Sequence, residues 1–165
     1  MKIGRLLLRA TVGGFFFGHG TQKLFGWFGG HGLDATAKAF DGMGLRPGKA
    51  NAIAAGAAEA GGGALLASGV ATPVAASVLT ATMITAIKTV HGSKGPWLSN
   101  GGYEYNVVLI AAVLALAESG RERPGRAASA ALLVGALGAM GAHLAAAAAP
   151  AEAAQAADTE SPTNS

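Results

Sequence analysis

The sequence contains no cysteine. Disulfide scaffolds, thiolate metal sites and thiol–disulfide relays are therefore excluded. Charge is scarce as well: Asp, Glu, Lys and Arg make up 13% of the 165 residues, against roughly 25% in an ordinary soluble domain. A flavin or nucleotide fingerprint is also lacking. The net charge of +3 is too thin for a nucleic-acid footprint and reads instead as an orientation signal for a membrane protein. No metal-ligand spacing stands out.

What is present is apolar. Hydrophobic residues account for 51% of the chain and the mean hydropathy is +0.40. A helix needs about 20 residues to cross the hydrocarbon core, and the chain offers such segments in series. The first runs from Leu6 to Phe28. Its opening resembles a signal peptide, but no small-residue cleavage site follows, and Gln22, Lys23 and Trp27 continue it, so it reads as a retained span. A polar connector, Gly29 to Lys49, holds a short interfacial helix over Leu33 to Met43. The second span covers Ala50 to Val70, with Glu59 as its one charge. After a turn at Thr72-Pro73 the third runs from Val74 to His91. Glycine, proline, serine and asparagine between Gly92 and Gly102 mark a loop. The fourth covers Tyr103 to Ser119 and stops at the cluster Arg121, Arg123 and Arg126. Residues 107–117 show no polar face at the helical period, which a soluble helix requires.

The expected fold is thus all-α, a transmembrane bundle of four core helices plus a fifth C-terminal helix. Residues 1–120 form the four-helix membrane domain. Residues 121–149 hold the basic loop and an alanine-rich fifth span, Ala127 to Ala149. Residues 150–165 form an acidic tail with too little apolar surface to fold.

Loop charges set the expected orientation. Lys2, Arg5 and the Arg121/Arg123/Arg126 cluster fall on one side, and Lys38, Arg46, Lys49 and Lys94 on the other. This puts the N-terminus in the cytoplasm of a bacterial plasma membrane, with Arg5 and Arg9 as anchors on that side. Ionisable groups from four helices then share the outer leaflet. His19, Gln22 and Lys23 stand at i, i+3 and i+4 on one helical face. Glu59 lies mid-span, and Lys88, His91 and Glu104 lie near span ends. Trp27, Trp97, Tyr103 and Tyr105 mark the same interface. Lone charges at bilayer depth are costly, so Lys23–Glu59 is the leading expected pair and Lys88–Glu104 the second. The bland alternative is snorkelling of Lys88, His91 and Glu104 to the interface. Gly14 and Gly18, with Gly61, Gly62 and Gly63 near Glu59, suggest close helix packing within the bundle or between copies in a homo-oligomer.

The run His19-Gly20-Thr21-Gln22-Lys23-Leu24-Phe25-Gly26, continued by Gly29, Gly30, Gly32 and Leu33, resembles the opening of the DoxX family of small membrane proteins. Glu59 with Gly62-Gly63, Met83 with His91, and Gly101-Gly102 before Glu104 resemble its later helices. The resemblance spans about Lys2 to Ser119. It implies a membrane protein linked to quinone or thiol stress and to redox complexes, with His19, Lys23, Glu59, His91 and Glu104 as site residues. Two functions of different class follow as expectations. One is a redox-associated subunit, possible oxidoreductase machinery, with a quinone pocket in the outer leaflet and a redox partner protein supplying electrons. The other is a non-catalytic scaffold or assembly factor. A haem ligated by His19 and His91, and a proton-coupled carrier, are weaker alternatives. The expected partners are the lipid bilayer and a redox protein, with no nucleic acid.

Overall fold

A computed structural model describes residues 3–119. The arginine cluster after Ser119, the expected fifth span and the acidic tail lie outside the described residues. Five α-helices follow in order: α1 Ile3–Phe25, α2 Gly32–Gly42, α3 Gly48–Ser68, α4 Thr72–Ala86 and α5 Glu104–Glu118. The described residues contain no strand.

Local chemistry sets the helix ends. α1 stops where Gly26 adopts φ 72°, a left-handed conformation that only glycine takes without strain. α3 closes on Gly69, also left-handed, whose N–H returns to the carbonyls of Leu65 and Leu66. α4 begins with Pro73 in its first turn, where the missing N–H costs nothing. It then continues through a wider π turn, Ile87–His91, and a short 3₁₀ turn, Gly92–Lys94. α5 starts at Glu104, an acidic residue at the positive end of the helix dipole. The expected spans therefore correspond to α1, α3, α4 and α5, and the interfacial helix to α2.

Length and composition separate the helices. Among the described residues, the continuous stretch Thr72–Lys94 is the one helix long and apolar enough by itself to cross a membrane. α1 carries Arg5, Arg9 and Lys23, and α3 is built largely of alanine and glycine around Lys49, Asn51 and Glu59. α5 has 15 residues, or about 22 Å of helix.

The four long helices run up and down. At one end, Arg5 of α1 donates to the Ser119 carbonyl just past α5, at 2.5 Å. Arg9 of α1 donates to Thr72 Oγ1 at the start of α4, at 3.1 Å. The start of α1, the α3–α4 turn and the end of α5 therefore meet. α1 packs along α3, α3 against α4, and α4 against α5, with α5 returning to α1. The apolar core lies nearer this arginine end, where Val12 and Phe16, Leu66, Leu79 and Met83, and Val113 and Leu116 interlock. α2 covers the opposite end and rests on α1 and α3.

The α1–α3 contact is a backbone contact, and of the glycines the sequence singles out Gly63 takes part in it. A Cβ on Gly13 would lie 2.7 Å from Ala67 N and Gly63 O. One on Gly20 or Gly63 would overlap backbone atoms of the facing helix. Gly14, Gly18 and Gly61 face open space instead, and Gly62 faces Leu79 of α4. The expected Gly14/Gly18 pair is thus not the packing seam; Gly13, Gly20 and Gly63 are. The first-span glycines are dense enough that spacing alone did not reveal which row turns inward.

Candidate functional site

Lys23 sits two residues before the end of α1, while Glu59 sits in the middle of α3. Side chains on a helix lean toward its N-terminus, so Lys23 reaches back along α1 toward the bundle interior. Its Nζ donates to Glu59 Oε2 and forms an ion pair with it. The Glu59 side chain is 6% exposed and that of Lys23 25%. The close approach of α1 and α3 at Gly20 brings the two within reach. This is the leading pair expected from the sequence.

The pair opens on a cavity of about 540 Å³ bounded by α2, α3 and α4. Phe40, Met43 and Leu45 close one side. Alanines line much of the rest, among them Ala54, Ala55 and Ala58 on α3 and Ala81 and Ala86 on α4. Three threonines, two on α4 and one on the π turn that continues it, complete the wall. Thr82, Thr85 and Thr89 donate their hydroxyl protons to the carbonyls of Val78, Ala81 and Thr85, at 3.0, 3.1 and 2.9 Å. A hydroxyl turned onto its own helix leaves a wall that behaves largely as apolar. Asn51, another lining residue, donates its side-chain amide to Pro47 O at 3.1 Å. The charged groups on the cavity wall are Lys23 and Glu59. The volume falls within the usual range for small-molecule pockets, and a few convergent polar groups in an apolar wall are their usual form.

The other expected site residues do not line this cavity. His19 Nδ1 lies 3.1 Å from Gln22 Oε1, and Gln22 Nε2 donates to Phe28 O at 3.1 Å. These two therefore brace the 3₁₀ turn Trp27–Gly29 on the outside of the bundle. His91 Nδ1 lies 2.7 Å from Gly101 O. Glu104 accepts the Leu98 N–H at 2.7 Å. Both hold the α4–α5 connector, in which Tyr103 and Glu104 also donate their N–H groups to Gly95 and Pro96. Lys88 is exposed on the π turn.

The expected Lys88–Glu104 pair is not formed. Among the described residues the ion pairs are Lys23–Glu59 and an exposed Lys49–Asp34 contact at 3.6 Å. Glu104 folds back onto its own connector, a local option that span arithmetic does not see. His19 faces Gln22 and His91 faces Gly101, and neither lines the cavity. Among the described residues no three His, Asp or Glu side chains gather as a metal-ligand set.

Trp27, Trp97 and Tyr105 are exposed, and of these Trp27 makes ring contacts. Trp27 and Trp97 are 52% and 63% exposed. Trp27 packs against Phe25 with the rings tilted by 40° and their centroids 5.3 Å apart, and meets Phe28 edge-on at 6.4 Å. Tyr105 is exposed and Tyr103 half-buried. Exposed aromatic rings at one end of a helix bundle suit a membrane–water interface.

Sequence reasoning missed Asn51 and the three cavity threonines. A signal for the latter was there: Thr82, Thr85 and Thr89 recur at helical spacing on one face. Arg9, expected as an anchor on the cytoplasmic side, is 9% exposed and packs over the α3–α4 turn, a burial that the sequence did not indicate.

Fold and site together define a small all-helical bundle that holds a lysine–carboxylate pair beside an apolar cavity. The DoxX family profile matches residues 4–92. The chain is also 36% identical over 118 residues to the protein named "Putative oxidoreductase CatD" of Bacillus subtilis (strain 168), covering 72% of this chain and 81% of that one. This chain belongs to the DoxX family, whose members are membrane proteins. No solved structure matches it.

Proposed function

We propose that this chain is a redox-associated integral membrane subunit whose α2–α3–α4 cavity takes a quinone-type ligand. The observation that carries the reading is the Lys23–Glu59 pair on the wall of an otherwise apolar cavity. A quinone headgroup is a flat ring with carbonyl acceptors. Lys23 has three donors and Glu59 uses one, so the ammonium can hydrogen-bond a carbonyl while the ring rests on alanine and threonine methyls. Reduction of a quinone to a quinol consumes two electrons and two protons. Lys23 and Glu59 can hold and pass protons, and the electrons come from a redox partner protein. The relative's printed name is in keeping with redox chemistry.

Membrane embedding of the whole bundle belongs to the same reading. Large apolar side chains face outward on every long helix, including Ile3, Leu7 and Phe15 on α1, Ile53 on α3, Val74 on α4 and Val108 on α5. Soluble monomers rarely show such continuous apolar surface.

A second reading, a non-catalytic scaffold, is favoured by one observation. His19, His91 and Glu104 spend their polar atoms on local structure, which leaves the ion pair as the cavity's charged machinery. Photolabelling separates the two. A short-chain azidoquinone should mark peptides from residues 51–59 and 78–90, and excess unlabelled quinone should suppress the marking. Diffuse labelling that competitor does not suppress would favour the scaffold.

A further inference from the structure

The arginine end of the bundle has polar chemistry that the cavity does not use. Arg5 and Arg9 stand at i and i+4, on one face of α1. Arg9 is nine-tenths buried. Its guanidinium lies over Gly69, where a Cβ would collide with Nη1, and Nη2 donates to Thr72 Oγ1, the first residue of α4. Arg5 donates through Nη1 to Ser119 O. Among the described residues the Nε–H groups of both arginines are buried and have no hydrogen-bond partner. Among the described residues neither arginine is paired with a carboxylate. α4 begins beside them without a side-chain cap, so its N-terminal dipole adds positive potential at the same place. A buried cation without a counter-charge is strongly unfavourable. The carbonyl ends of α3 and α5 offset part of that cost; Glu118, the last residue of α5, is exposed and forms no ion pair with either arginine.

We propose that this end binds the phosphate of an anionic phospholipid headgroup. The missing partner is an anion with several acceptor oxygens. Phosphate fits because guanidinium forks bind it bidentately and helix N-termini favour it. The surroundings select a lipid over free phosphate. Ile3, Leu6, Leu7 and Leu8 surround the arginines on α1 and are 76%, 46%, 61% and 38% exposed. A headgroup held by Arg5 and Arg9 would lay its acyl chains along these side chains. Basic pockets between helices near a membrane surface are known sites for anionic headgroups.

The test uses the full chain, purified in detergent, stripped of lipid and placed in phosphatidylcholine nanodiscs with or without phosphatidylglycerol. Lipid retained by the protein is measured by native mass spectrometry, and thermal unfolding is followed in parallel. Wild type should retain phosphatidylglycerol in preference to phosphatidylcholine and should unfold at a higher temperature with it. Arg9→Gln should weaken that retention by about tenfold or more. Arg5→Gln should weaken it several-fold. The Arg5 side chain is only half-buried, so this variant keeps the test decisive if Arg9→Gln does not fold. Quinone labelling at the distant cavity should be unchanged in Arg5→Gln. Equal retention of the two lipids, or equal retention by wild type and Arg5→Gln, overturns the proposal. Protection by inorganic phosphate alone that matches the lipid overturns the lipid assignment.

Discussion

Lys23→Met should destabilise the protein by about 3–5 kcal/mol, the range for breaking a buried ion pair from one side. The change leaves Glu59, 6% exposed, without its partner in a low-dielectric interior. Glu59→Gln should cost less, about 1–3 kcal/mol, because the orphaned Lys23 is a quarter exposed and its long stem can carry the ammonium toward water. The double variant should recover much of the loss of Lys23→Met, since neither partner then remains charged. Unfolding in mixed micelles, compared across the four proteins in a double-mutant cycle, measures the coupling. Additive losses, or a Glu59→Gln cost larger than that of Lys23→Met, would show that the pair does not act as the geometry implies.

The second large effect is expected at the α1–α3 seam. Gly20→Ala and Gly63→Ala each place a methyl group against the backbone of the facing helix. Backbone cannot turn aside as a side chain can, so each change should cost at least the about 1–3 kcal/mol typical of overpacking. Gly20→Ala also pushes α1 from α3 at the level where Lys23 meets Glu59. Ala at Gly20 should therefore loosen the ion pair as well as the packing. Gly14→Ala and Gly61→Ala add the same methyl group to the same two helices, with nothing within 4 Å to meet it. These should be neutral or slightly stabilising, since alanine favours helix over glycine by up to about 1 kcal/mol. Thermal unfolding of the four variants checks the contrast. A loss at Gly14 comparable to that at Gly20 would put the seam on the other face.

These two effects also mark what was legible in the sequence. Helix order and boundaries were, because apolar runs broken by glycine, proline and charge set them within a few residues. α3, for example, spans Gly48–Ser68 where hydropathy indicated Ala50 to Val70. The Lys23–Glu59 pair was legible because each is an ionisable residue well inside an apolar span, and such groups need partners. The roles of His91 and Glu104 were not. Their side chains answer to hydrogen-bonding demands of a short connector, which depend on its turn geometry rather than on helix depth. The glycine seam was hidden for a different reason. Gly13, Gly14, Gly18 and Gly20 sit within two turns of one helix, and only the position of α3 decides which of them turns inward. The burial of Arg9 was not legible because it depends on a long side chain folding over Gly69 of the α3–α4 turn, which no local pattern near a chain end reveals.

Titration of the purified protein with a short-chain quinone, comparing wild type with Lys23→Ala and His19→Ala, tests the central claim most directly. Lys23 lines the cavity, whereas His19 is committed to Gln22 on the outside of α1. Wild type and His19→Ala should bind saturably with similar affinity. Lys23→Ala, verified as folded, should bind roughly five- to a hundredfold more weakly, the cost of one lost hydrogen bond to a buried ligand group. Equal affinity in wild type and Lys23→Ala, or no saturable binding by folded wild type, would contradict the assignment of the cavity as a quinone site.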